Sequence, residues 1–182
     1  MRALWNVALA ACVLMVGAAR TNAQEKGQAG ITMGYPASIG VLWHVSDRVA
    51  IRPEFSFTNT DSSSASIVAA DNQFWSLGTG ISALFYTPVH DNLRTYVAPR
   101  FSYTRTNGDS GVTASTTTSY SIAGMFGAQY ALGRRFGVFG EIGFGYARQT
   151  GSTATDVPGL GGIESHGDTI GTRSGVGVVL YF

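Results

Sequence analysis

Residues 74–86 read Phe-Trp-Ser-Leu-Gly-Thr-Gly-Ile-Ser-Ala-Leu-Phe-Tyr, and their alternation decides how this chain folds. Trp75, Leu77, Thr79, Ile81, Ala83 and Phe85 fall on one face of an extended segment, and Ser76, Gly78, Gly80 and Ser82 on the other, because successive side chains of a strand point to opposite sides. The same period of two recurs in both directions. Upstream, Val49, Ile51, Pro53, Phe55 and Phe57 oppose Ala50, Arg52, Glu54, Ser56 and Thr58. Downstream, Val97, Pro99, Phe101 and Tyr103 oppose Ala98, Arg100 and Ser102; Ile122, Phe126, Ala128, Tyr130 and Leu132 oppose Ser121, Ala123, Gly127 and Gln129. Val138, Ile142, Phe144 and Tyr146 then oppose Gly137, Glu141, Gly143 and Gly145, and Ile170, Val176, Val178, Leu180 and Phe182 oppose Gly171, Arg173, Gly175 and Gly177.

A soluble sandwich also alternates, so the character of the second face has to decide. A wet sheet face carries many Lys and Glu; here it is Gly, Ser and Ala with isolated Arg and Glu, while the apolar face is rich in aromatics. That is the inside-out pattern of a barrel facing lipid around a narrow polar interior. Most segments also run ten to fifteen residues, against the ~9–11 that cross the hydrocarbon at a tilt and the ~5–6 usual in soluble sheets. The expected fold is all-β: a closed, antiparallel, up-and-down transmembrane β-barrel.

The connections alternate in length. Asn59 to Asn72, Thr106 to Thr117 and Thr150 to Asp168 read as long polar loops, whereas Ser46-Asp47-Arg48, Pro88 to Asn92 and Gly133-Arg134-Arg135 read as tight turns. Outer-membrane barrels pair long external loops with short periplasmic turns. Counting back from Phe182 gives seven strands ending at Ser38 to Val45, and Gln28 to Tyr35 supplies the eighth, the even number such barrels use. Pro53 and Pro99 lie inside central strands, where proline removes a ladder donor, and are expected to mark bulges.

Met1-Arg2, the apolar run Ala3 to Ala19 and the small-residue stretch Thr21-Asn22-Ala23 form a secretory signal, expected to be cut after Ala23, with a retained N-terminal anchor as the alternative. Leu9-Ala10-Ala11-Cys12 has the letters of a lipobox, but the chain after Cys12 stays apolar. Residues 1–23 are thus assigned to the signal and 24–182 to one barrel domain. That domain would contain no cysteine and ten basic against eleven acidic residues, so neither disulfides nor a nucleic-acid partner is expected. No apolar run of ~18 residues follows the signal, so no transmembrane helix is available.

Two motifs have the letters of chemistry without its context. Gly78 to Ala83 fits the dinucleotide fingerprint, but that needs a helix after its strand, and here the glycines sit within one strand. Ser165-His166-Gly167-Asp168 holds triad letters, but as sequence neighbours they are poorly placed for hydrogen-bonded relay. His44 and His90 join no cluster, so no catalytic residue, metal or cofactor is expected. Parity instead points Arg52, Glu54, Arg100, Glu141 and Arg173 inward, where charges in a narrow lumen must pair, one arginine being left over. Trp43, Phe85, Tyr130, Phe136 and Phe182 near the turns, and Phe57, Trp75, Tyr103, Tyr120 and Tyr146 near the loops, read as two interfacial girdles.

With these strands, the C-terminal residues Gly177-Val178-Val179-Leu180-Tyr181-Phe182 carry a resemblance across the whole mature chain: it looks like the small outer-membrane barrels of the OmpX, OmpW and OmpA-barrel kind. Gly177, Leu180 and Phe182 are similar to that class's assembly signal, with Gly175 standing where a polar residue is frequent. The resemblance implies the cell outer membrane, contact with its lipid and lipopolysaccharide, and handling by the barrel-assembly machinery. An eight-stranded interior is just wide enough for side chains to fill, which favours a structural or surface-interaction barrel whose external ligand the sequence does not name. The alternative is a narrow pore or transporter for small or hydrophobic solutes, as the OmpW kind implies; a lipid-modifying barrel enzyme is a remote third.

Overall fold

β-Branched and aromatic residues on one face, with glycine and serine on the other, fold into eight strands and no helix among the described residues. A computed structural model describes residues 26–35, 38–64, 70–88, 90–110, 113–155 and 162–182, and for 62–64, 70–72 and 155 the backbone alone. The expected signal at residues 1–23, with Cys12, lies outside the described residues. The strands are β1 (Ala29–Tyr35), β2 (Ser38–Ser46), β3 (Val49–Ser64), β4 (Ala70–Tyr86), β5 (Leu93–Asp109), β6 (Thr113–Ala131), β7 (Phe136–Thr155) and β8 (Ile163–Tyr181). Each pairs antiparallel with the next, and β1 closes on β8 from Gly30↔Tyr181 to Tyr35↔Val176.

Closure has a stagger. The row of partners Thr32, Gly40, Glu54, Gly80, Ser102, Ser121 and Ala147 arrives on β8 at Thr169, although Thr32 itself faces Val179, ten residues along. Such a shear is what tilts the strands of a closed barrel. Every residue in that row faces the lumen, and most are small, which keeps the interior narrow.

The outer wall is a continuous apolar belt. Ile122 is 59% exposed and Phe144 70%, values a water-soluble surface would not sustain over so many neighbours. Trp43, Phe85, Tyr130 and Phe182 are exposed toward the turn end, and Phe57, Trp75, Tyr120 and Tyr146 toward the other; the Tyr103 and Tyr120 rings touch, centroids 5.1 Å apart. Midway up, Ala83, Pro99 and Gly124 lie side by side and leave an open apolar hollow in the wall.

Three expectations need correction. The segments read as long loops are mostly strand: β3 and β4 pair as far as Ser64↔Ala70, β5 and β6 to Asp109↔Ala114, and β6 and β7 to Thr113↔Thr155. Serine and threonine suit a pleated wall, and continued pairing satisfies the backbone. Polarity marks where the wall leaves the lipid; it does not end the strand. Secondly, Pro53 and Pro99 mark no bulge. Pro53 pairs with Ile81 on one side, while toward β2 the ladder skips between Gly40↔Glu54 and Trp43↔Ile51. Pro99 pairs with Gly124 and the ladder skips toward β4, with the same register on either side of the gap. The register shift falls instead between His44 and Ser46, beside the first turn. Thirdly, the lower lumen is not lined by small polar groups: Leu42, Leu84, Tyr86, Tyr96, Met125, Val179 and Tyr181 point into it and form its core.

Candidate functional site: the lumen charge network

The site grows out of glycines. Glu54 stands between Gly40 and Gly80, Glu141 between Gly127 and Gly175, Tyr96 opposite Gly127, Phe139 opposite Gly177, and Arg173 opposite Gly143. A residue without a side chain beside each long one is what lets a narrow barrel hold so many. A Cβ at Gly127 would clash with the Tyr96 ring, closest to its Cζ.

Four of the five inward charges meet. Arg52 Nη2 donates to Glu141 Oε1 at 2.6 Å, and Arg100 Nη2 to Glu141 Oε2 at 2.6 Å. The other carboxylate, Glu54, makes longer ion pairs with the Nε atoms of both arginines, each at 3.3 Å, Arg52 beside Oε1 and Arg100 beside Oε2; its Oε2 accepts from the Ser82 hydroxyl at 3.5 Å, and the buried Arg52 Nε has no hydrogen-bond partner among the described residues. Tyr96 donates its hydroxyl to Glu141 Oε1 at 2.7 Å, and Arg100 Nε donates to Ser82 Oγ at 2.9 Å. The Arg52 guanidinium lies over the Phe139 ring, 5.0 Å from its centroid. Arg52 and Glu141 are each 1% exposed at the side chain, so this is a buried pair whose desolvation is offset by short, charge-assisted bonds on both sides.

The fifth, Arg173, stays apart. It lines a cavity that Glu54, Arg100 and Glu141 also border, is exposed, and makes no ion pair among the described residues.

Below the charges lies a second layer that the sequence reading missed. Tyr86 donates to Gln129 Oε1 at 2.9 Å, Gln129 Nε2 donates to the Tyr181 hydroxyl at 2.6 Å, and that hydroxyl lies 3.4 Å from His44 Nε2. Arg94 covers Tyr86 from the turn end and donates to the Asp47 carbonyl at 3.2 Å. The signal for this layer was available: Ala83-Leu84-Phe85-Tyr86 and Val178 to Phe182 are apolar on both faces, as strands buried on both sides are.

The other singled-out residues do not converge. On β8, Ser165 shares the parity of the inward Arg173, whereas His166 and Asp168 have the opposite parity, and Asp168 accepts from Tyr146 at 2.7 Å. His90 is exposed in a turn. Gly177 faces inward beneath Phe139, while Leu180 and Phe182 are exposed on the outer wall.

A closed ring of eight strands, polar within and apolar without, is a membrane barrel. Among solved structures, a major outer membrane protein from Thermus thermophilus superposes with a TM-score of 0.50 at 12% identity, covering 85% of this chain and 98% of that one. The chain has the fold of a small outer-membrane β-barrel. Ail, the attachment invasion locus protein of Yersinia pestis, aligns over 86% of this chain and 99% of its own, with a TM-score of 0.47 and 12% identity. CarO of Acinetobacter baumannii covers 89% of this chain and all of its own, with a TM-score of 0.38 and 12% identity. No protein-family model and no curated sequence matches the chain. The exposed apolar belt, on a fold shared with outer-membrane proteins, places the barrel in the cell outer membrane.

Proposed function

We propose that this barrel is a closed membrane-embedded scaffold, non-enzymatic, whose task is structural or surface interaction. The observation that carries the reading is the double plug: a buried Arg/Glu network above, and the Tyr86–Gln129–Tyr181 chain with its apolar neighbours below. Such a lumen leaves little room for a water file. What projects outward is the upper part of β3–β8. β7 has 20 residues, roughly 45 Å of height at ~3.3 Å per residue and a ~45° tilt, against an apolar band of ~25 Å. The β1–β2 hairpin stops far lower, so Ser56–Ser64 of β3 has no partner on its β2 side and Ile163–Gly175 of β8 none on its β1 side among the described residues. Edges with free backbone groups are surfaces on which other chains can add a strand.

We further infer contact with lipopolysaccharide: Arg148, the ladder partner of Tyr120, and Arg105, two residues above Tyr103, are exposed beside the outer girdle, where anionic headgroups lie. Leu180 and Phe182 on the outer wall support recognition of the last strand by the barrel-assembly machinery. The test of the scaffold reading is conductance in a planar lipid bilayer. Silent insertions, counted by immunodetection, are expected; discrete current steps from the pure protein would replace the scaffold with a narrow transporter.

A further inference from the structure

On the lipid-facing wall, Gly124 is out of place. Its neighbours there are large: Ile122 and Phe126 along β6, and Phe144 across on β7, are each more than half exposed. A Cβ at Gly124 would meet nothing within 4 Å, so neither the lumen nor the Pro99 ring opposite requires a glycine. Glycine weakens a strand interior and often marks where something else approaches closely. With Ala83 and Pro99 it floors an open apolar hollow, over the stretch where the β4–β5 ladder skips between Ser82↔Arg100 and Phe85↔Val97. The row Ile81↔Phe101↔Ile122↔Tyr146↔Ile170 forms the upper rim. Above that rim, on the same face, stand two arginines: Arg105, four residues above Phe101 on β5, and Arg148, two above Tyr146 on β7. Both are exposed, and neither makes an ion pair among the described residues. Arg105 pairs with Thr118 and Arg148 with Tyr120, which sets their backbones roughly 12 Å apart across β6 by strand spacing and rise, within joint reach of one headgroup. Of the acids on this face, Asp168, opposite Arg148, accepts from Tyr146, and Asp109 lies four residues above Arg105. From the floor of the hollow to the arginines is about 13–20 Å along the strands, comparable with one leaflet's half of the ~30 Å hydrocarbon core.

We propose that the hollow seats one acyl chain of a lipopolysaccharide molecule whose lipid phosphate is held by Arg105 and Arg148. The inference rests on the lipopolysaccharide contact proposed above and deepens it, from an attraction at the outer girdle to one lipid bound in one place and orientation. A tail gains no hydrophobic energy by leaving other tails, so packing has to select it: an unfilled hollow leaves its lining without contacts, and a chain lying in it restores them. The guanidinium forks suit the phosphate and set how far down the chain reaches. Between them Tyr103 and Tyr120, ring against ring, stand at the level where headgroup meets hydrocarbon.

The experiment follows the isoleucine δ1-methyl resonances of the full barrel in neutral detergent micelles as purified lipopolysaccharide is added. The methyls of Ile51, Ile81, Ile122 and Ile170, which border the hollow, should shift saturably, and those of Ile31 and Ile39, on β1 and β2, should stay in place. Gly124→Leu, whose side chain grows into the hollow, should lower lipopolysaccharide retention, read by native mass spectrometry, about tenfold or more. Gly140→Leu, the same change lower on the outer face of β7 where a Cβ also meets nothing, should leave it unchanged. Arg105→Gln combined with Arg148→Gln should weaken both retention and shifts. Folding of each variant is checked by its faster migration on unboiled gels. Uniform movement of all the isoleucines, equal retention of phosphatidylglycerol, or hollow-methyl shifts that follow protein concentration without lipid, the mark of a second copy, each overturn the proposal. If the arginine pair proves necessary but Gly124→Leu retains lipopolysaccharide as the parent does, the acyl seat falls and the headgroup contact stands; if the parent retains none, both fall.

Discussion

At the scale of single residues, Glu141 holds the lumen together. It accepts from Arg52, Arg100 and Tyr96 while 1% exposed, so removing it strands Arg52 with only the longer contact to Glu54. Glu141→Ala should cost about 3–5 kcal/mol of unfolding free energy, because it leaves an uncompensated buried charge. Tyr96→Phe, which removes one hydrogen bond to a charged acceptor, should cost about 1.5–3 kcal/mol. Urea unfolding in lipid vesicles, followed by tryptophan fluorescence, measures both; a loss below about 1 kcal/mol for Glu141→Ala would mean that the pair is hydrated. That these charges face inward was legible from parity in the sequence. Which arginine would be left over was not, because it depends on the reach of side chains from four strands.

Among the elements, the pairing of a long side chain with a glycine on the next strand sets how β5, β6 and β7 approach. Tyr96 lies where a Gly127 side chain would be. Gly127→Ala is therefore expected to overpack the lumen and destabilise by about 1–3 kcal/mol. Adding Tyr96→Leu, which vacates that space, should make the two changes less than additive in a double-mutant cycle. Strict additivity in the same unfolding assay would show that the ring moves aside at no cost. At this scale the prolines are instructive. The sequence marks Pro53 and Pro99 as exceptions, yet each is accommodated by a gap on one side of its ladder with the other side intact. Each gap leaves out two partner pairs, the proline's and its neighbour's, and leaves the register alone.

For the whole molecule, the asymmetry between tall β3–β8 and short β1–β2 predicts which end faces outward. If residues 1–23 are removed, the chain contains no cysteine, so single cysteines report topology directly. Ala114→Cys, exposed at the tall end of β6, should react with a membrane-impermeant maleimide on intact cells. Arg134→Cys, exposed in the β6–β7 turn, should react only after the outer membrane is permeabilised. The opposite pattern would invert the barrel.

Alternation along the chain was enough to settle the class, the strand number, the two faces and the inward set of charges, because a period of two is a local property that survives any arrangement of neighbours. Where strands end, how the lumen is filled and which charge stays unmatched were settled by the assembled barrel. Strand ends depend on whether a partner continues alongside, which polarity does not encode. The lower plug of Tyr86, Tyr96, Met125 and Tyr181 was hidden because both faces are apolar there and alternation falls silent. Arg173 is left alone by the ten-residue stagger of closure, which sets β8 against β7 and β1 at heights that no single strand records.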